Sequence, residues 1–188
     1  MPQSSPPPRR RPKDLAGYLE TLSRTVFQAG ISWRVIEAKW DGIHDAFEGF
    51  DPKKVAAFGP KKVDRLMADE SIVRSRPKIE AVIDNAQTLL ELDAEHGGFA
   101  RYLTVHGDTA AVAKDLQRQF RFIGPSGAYM FLYMVGEPVP PHDQWPAGRQ
   151  KRSNARSQVT DVTADPSMGG DPLPAPITFL ATEHFPLQ

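Results

Sequence analysis

The placement of proline limits this chain more than any other feature. It has 18 prolines. Only Pro52, Pro60, Pro77 and Pro125 fall between Lys13 and Glu137. Proline lacks a backbone donor and clashes with the preceding helical turn, so helix interiors exclude it while first turns accept it. Asp51-Pro52, Gly59-Pro60 and Gly124-Pro125 therefore read as helix starts. Residues 14–145 are expected to form one folded domain. The opening MPQSSPPPRRRPK, residues 1–13, is expected to be a disordered basic arm. Residues 146–188 read as a flexible tail, polar and without periodicity, whose last residues ITFLATEHFPLQ can dock back as a short strand or turn.

Within the domain the apolar period is helical. Asp14 can cap a helix carrying Leu15, Leu19, Leu22 and Val26. Gly30 stops it, and Ser32 can cap a second helix carrying Val35, Ile36, Trp40 and Ile43. Asp51-Pro52 opens a short helix through Val55 and Ala56, and Gly59-Pro60 leads into KKVDRLM. A longer helix begins at Ser75 or Arg76, with Ile79, Val82, Ile83, Ala86, Leu89 and Leu90 on one face, and Gly97-Gly98 ends it. Thr109 is expected to cap a helix to Gln119. YMFLYMV, after Gly124-Pro125, reads as a buried helix with Tyr129, Phe131 and Tyr133 in the core. No strand alternation is evident. The expected class is all-α, with about seven or eight short helices.

Composition removes several functions. With no cysteine, disulfides, thiol catalysis and thiolate metal sites are excluded. Lys+Arg and Asp+Glu are both 23, so a nucleic-acid partner would need a local basic patch. No segment approaches the roughly 20 apolar residues of a membrane span, and the arm has no apolar leader core. A monomeric, cytoplasmic protein with no membrane partner is expected. His44-Asp45, His96, His106 and His142-Asp143 read as turn or surface residues. No Ser-His-Asp set, phosphate loop or dinucleotide fingerprint is present.

Two stretches carry chemistry. In residues 61–90, KKVDRLMADESIVRSRPKIEAVIDNAQTLL, a short helix meets a long one through a tight turn. Main-chain amides at the start of the second helix can hold a phosphate without reading sequence, and Arg74, Arg76 and Lys78 add positive charge there. The plainer reading is an ordinary helical hairpin with a solvated basic turn. In residues 27–36, FQAGISWRVI, a helix ends at a glycine and Ile31 and Trp33 follow. An apolar residue on such a corner can wedge between base pairs, and an aromatic can stack on an extruded base. The plainer reading is a helix end at Gly30 with Ile31 and Trp33 in the core.

Together these stretches resemble the 3-methyladenine DNA glycosylase I family, of the helix-hairpin-helix DNA glycosylase superfamily. The resemblance rests on QAGISW (28–33), FDPKKVAAF (50–58), VDRLMADESIVRSRPKIEAVIDNAQTLL (63–90) and FRFIG (120–124). It implies a helix-hairpin-helix bundle, double-stranded DNA with a damaged base as partner, and hydrolysis of the N-glycosidic bond of an alkylated purine such as 3-methyladenine after base flipping, in base-excision repair. It implies no redox cofactor. By position, Gln28, Gly30 and Ile31 match the residues that plug and wedge the duplex. Trp33 matches the aromatic that stacks on the base. Ser71 to Lys78, including Ile72, Val73, Arg74, Arg76 and Lys78, match the phosphate-binding hairpin.

Two departures follow. The family's base-binding glutamate is replaced by Thr25, whose hydroxyl does not complement a cation as a carboxylate does. The nearest upstream carboxylate, Glu20, is expected to point elsewhere. The family's zinc site needs two Cys and two His. His142 resembles one of the histidines, but the chain has no cysteine, so no metal is expected. An alternative is therefore a catalytically impaired glycosylase-like module that binds DNA, helped by Arg9, Arg10, Arg11 and the run from Arg149 to Arg156. A third is a helical protein-interaction domain that retains only the fold.

Overall fold

A computed structural model describes residues 9–145. The expectations for the start of the arm and for the tail from residue 146, including the docking of ITFLATEHFPLQ and the run Arg149 to Arg156, lie outside the described residues.

Among the described residues there are nine α-helices, two single-turn 3-10 segments and no strand. In chain order the helices are α1 (Leu15–Gln28), α2 (Trp33–Ala38), α3 (Trp40–Ala46), α4 (Pro52–Ala56), α5 (Pro60–Ala68), α6 (Arg76–His96), α7 (Phe99–Tyr102), α8 (Thr109–Gln119) and α9 (Pro125–Met134). The starts follow local chemistry. Asp14 Oδ1 accepts from the Gly17 amide at 2.9 Å, and Asp51 Oδ1 accepts from the Lys53 amide at 3.0 Å. Pro52, Pro60, Pro77 and Pro125 all fall in first turns.

Three local expectations are corrected. Asp108, not Thr109, caps α8, its carboxylate accepting from the Ala111 amide. The Thr109 hydroxyl is used elsewhere, donating to the Pro138 carbonyl. The helix expected through residues 32–43 breaks at Lys39 (φ −107°, ψ 3°). The break leaves Val35 in solvent while Trp40 and Ile43 reach the core. Tyr129 and Tyr133 are half-buried rather than interior, because their rings flank Trp145.

The 21-residue α6 is the spine, about 30 Å long at 1.5 Å per residue. It packs against α1, α4, α5 and α7. Leu19, Leu22 and Val26 of α1 and Ile79, Val82 and Ala86 of α6 are fully buried. Each of these leucine, isoleucine and valine side chains contributes about 1.5–3 kcal/mol relative to exposure. The arm also departs from expectation at its inner end. The Arg10 amide donates to the Met134 carbonyl at 2.8 Å, the Arg9 guanidinium donates to the Gly136 and Glu137 carbonyls, and Arg11 pairs with Glu137 at 3.0 Å. Cations are favoured beside the carbonyl end of a helix, so the end of α9 holds this basic segment in place.

Candidate functional site

Two polar residues on α6, seven positions apart, stand on one face about 10 Å from each other along the helix. Each fixes a different loop. Lys78 is only 7 % exposed, and its ammonium donates to the carbonyls of Phe27 at 2.8 Å and Ala29 at 2.6 Å. These belong to the end of α1, where the four last carbonyls of a helix need donors. Asn85 is 1 % exposed and clamps the backbone of Arg121. Its Oδ1 accepts from the Arg121 amide at 2.7 Å, and its amide donates to the Arg121 carbonyl at 3.0 Å. The Arg121 guanidinium pairs with Asp84. The α1–α2 turn and the α8–α9 turn are thus both pinned to α6.

Between those turns lies a cleft of about 380 Å³. It is lined by Thr25, Gln28 and Ala29 from the end of α1, by Phe122, Gly124, Ser126 and Met130 from the α8–α9 turn and α9, and by His142 and Trp145. Among the described residues no carboxylate, lysine or arginine lines it. The Thr25 hydroxyl donates to the Thr21 carbonyl at 3.2 Å, which leaves its lone pairs as acceptors. The Gln28 Nε2 is buried and, among the described residues, has no acceptor. A buried donor without a partner costs about 1–3 kcal/mol, so Gln28, which lines the cleft, carries an unmet donor. Trp145 is held by its Nε1–H donating to the Pro140 carbonyl at 2.8 Å and by the His142 ring at 4.6 Å.

The expected site residues divide. Thr25 and Gln28 line the cleft. Gly30 has φ +79°, the left-handed conformation that glycine adopts without strain, and it ends the α1 corner. Ile31 follows half-buried, packed against the edge of the core. Trp33 stands outside the cleft lining. It opens α2, half-buried, with the Arg24 guanidinium 5.8 Å over its ring. Glu20 accepts from Trp40 Nε1 at 3.0 Å, directed away from the cleft lining as its helical phase required.

In the α5–α6 turn, Ile72 is buried and Val73 half-buried, so their side chains hold the turn to the core. Among the described residues the amides of Ile72, Val73, Arg74 and Arg76 have no acceptor. The Ser71 amide and hydroxyl are taken by Asp69 at 2.8 and 2.6 Å, and these bonds hold the Asp69 carboxyl below the usual carboxylate range. Arg74 is exposed with a loose pairing to Glu70, and Arg76 pairs with Asp64 at 2.6 Å. Lys78 corrects the expectation of a phosphate contact: its charge is spent inside the protein on the α1 carbonyls, and burial pushes its ammonium below the ordinary lysine value.

A zinc site does not fit these residues. The chain has no cysteine, and among the described residues no three His, Asp or Glu side chains converge as metal ligands. His142 is packed on Trp145 instead.

The sequence profile of the methyladenine glycosylase family matches residues 10–112. The chain belongs to the methyladenine glycosylase family. Within this family it is 30% identical to DNA-3-methyladenine glycosylase 1 of Escherichia coli (strain K12), over 64% of this chain and 80% of the relative. It is 26% identical to DNA-3-methyladenine glycosylase of Haemophilus influenzae, over 58% of this chain and 70% of the relative. The solved 3-methyladenine DNA glycosylase I of Staphylococcus aureus superposes with a TM-score of 0.61 at 29% identity, covering 68% of this chain and 79% of that one.

The family match ends before α9, yet much of this member's cleft comes from beyond it. Phe122, Ser126, Met130, His142 and Trp145 all follow the matched span. Asn85, Phe122 and Trp145 were missed from the sequence. Asn85 carries a readable signal, a polar residue seven positions after Lys78 on an otherwise apolar face. Trp145 sits in a proline-rich run with no periodicity to place it.

Proposed function

We propose that this protein is a DNA base-excision glycosylase that hydrolyses the N-glycosidic bond of an alkylated purine such as 3-methyladenine, extruded from duplex DNA. The observation that carries the reading is the cleft, which lies against the end of α1 at Gln28 and Ala29 and is lined by both polar and aromatic side chains. The α5–α6 turn offers four main-chain amides to a phosphate, with Arg74 beside them, and this contact fixes the duplex without reading sequence. Ile31 and Gly30 form the corner that pries the strand. Thr25 supplies acceptors and Gln28 a donor to the edge of the base, and Trp145, fixed by Pro140, supplies the stacking face. Trp33 braces the corner with Arg24.

An alkylated purine in DNA is a cation with a weakened bond to the sugar. The bond from C1′ to the base nitrogen breaks with its electron pair staying on the base, which leaves neutral. Water adds to C1′ and its proton passes to solvent. Positioning and exclusion of bulk water are what this cleft contributes. The test is release of free 3-methyladenine from methylated duplex DNA, followed by chromatography. Wild type should release it, and Trp145→Ala should lose at least about tenfold in rate, the value of one base–aromatic stack. A larger loss in Trp33→Ala than in Trp145→Ala would return the stacking role to Trp33. No release by wild type would sink the catalytic reading.

That no carboxylate among the described residues lines the cleft favours one second reading, a glycosylase-like module that binds damaged DNA without cleaving it. Wild type that binds a duplex carrying an abasic-site analogue yet releases no base would establish it.

A further inference from the structure

Phe122 combines a backbone conformation and an exposure that no other phenylalanine among the described residues shares. Its backbone has φ +59°, a conformation that bulky L-residues rarely adopt. The residue is 42 % exposed, while its neighbours Phe120 and Ile123 are buried. Strain of this kind persists only where the surroundings over-determine the chain. Here they do. The residue before it is clamped at both backbone polar groups by buried Asn85, and Phe120 and Ile123 anchor the turn on either side. The turn thus holds an aromatic ring out of the core. Phe122 lines the same cleft as Thr25 and Gln28.

We propose that Phe122 is a base-contacting residue at the mouth of the cleft, stacking on the extruded purine. The inference rests on the proposed function, because it assumes that the cleft receives a base. A large apolar side chain exposed in isolation needs no explanation. One held outward by a strained backbone and a buried bidentate clamp, on the wall of a cleft with unmet hydrogen-bonding capacity, is built for a flat ligand. Base–aromatic stacking tolerates any purine, so Phe122 adds affinity without selecting the lesion. Selection stays with Thr25 and Gln28.

The experiment uses the full chain and the variants Phe122→Gly and Phe122→Leu. Glycine adopts a φ of this sign freely. Phe122→Gly should therefore keep its melting temperature, whereas a core phenylalanine would lose many degrees on the same change. Binding of free 3-methyladenine is followed by NMR titration, and binding of an abasic-analogue duplex by fluorescence anisotropy. The expected result is free-base affinity weakened about tenfold in Phe122→Gly, less in Phe122→Leu, with folding intact. If wild type binds the free base and Phe122→Gly binds it equally well, the inference is overturned and the proposed function stands. A loss confined to duplex affinity overturns it too, since Phe122 would then touch the strand and not the base. If wild type binds no free purine, the base-receiving cleft itself is wrong, and both readings go together.

Discussion

At the scale of single residues, Thr25 and Lys78 show how one side chain sets the character of the site. Thr25 stands where the family resemblance places a glutamate, and it is nearly buried. Thr25→Glu should speed release of cationic 3-methyladenine by about tenfold, because a carboxylate complements a cation in a water-poor cleft. It should also lower stability by about 1–3 kcal/mol, the usual cost of a buried polar group without full pairing. Release assays and urea melts on one preparation check both signs. Lys78 makes the opposite point, since its charge serves the fold. Lys78→Met leaves the Phe27 and Ala29 carbonyls without their donor. It should cost about 2 kcal/mol in urea melts. Burial depresses the folded-state value of Lys78. Over the alkaline interval just below the ordinary lysine value the unfolded chain therefore holds more protons, and this group's contribution to stability rises with pH. Melts at increasing alkaline pH should show that rise in wild type and not in Lys78→Met.

At the scale of elements, α6 works as a ruler that sets both rims of the cleft. Asn85→Leu keeps the branching and the number of side-chain heavy atoms and removes both bonds to the Arg121 backbone. It should cost about 2–3 kcal/mol, speed hydrogen exchange at the Arg121 amide, and lower base release even though no base-contacting group has changed. The α5–α6 turn is buttressed in a similar way by α3. A Cβ added at Gly42 would lie 2.8 Å from the Ser71 carbonyl oxygen, which belongs to backbone and has little room to retreat. Lys39 reinforces the contact, its ammonium donating to the Glu70 carbonyl. Gly42→Ala should destabilise the fold by about 1–3 kcal/mol and shift the amide resonances of residues 71–75. Unchanged resonances there would show that the turn does not depend on α3.

Across the whole molecule, charge is balanced, so affinity for DNA cannot come from bulk attraction. Several cations are already committed within the protein: Arg9 and Arg11 at the end of α9, Arg76 to Asp64, and Lys78 to α1. At the α5–α6 turn itself only the loosely paired Arg74 is left over for phosphates. The slope of log affinity against log salt should therefore be shallow, reflecting about two or three phosphate contacts at roughly 0.9 per contact. Arg74→Glu should reduce it further, by about one, in anisotropy titrations on undamaged duplex. A steep slope in wild type would show that basic residues beyond the α5–α6 turn carry the binding.

The sequence by itself determined where helices start, because caps and prolines act within a few residues, and it determined the all-α class through the apolar period. It also carried the family through QAGISW and the IVRSRPKI turn, since those short segments keep their register. The count of helices was less legible: the break at Lys39 comes from bringing Trp40 and Ile43 inward together, a demand made by the core. What only the tertiary structure decided was direction and company. Lys78 reads as a surface cation in the string of letters, and becomes an internal donor only because α1 ends above it. Thr25, Phe122 and Trp145 come from three distant segments, and no local period relates them. They share a cleft because α6 fixes two turns on one face, and packing of that kind depends on contacts that chain position does not encode locally.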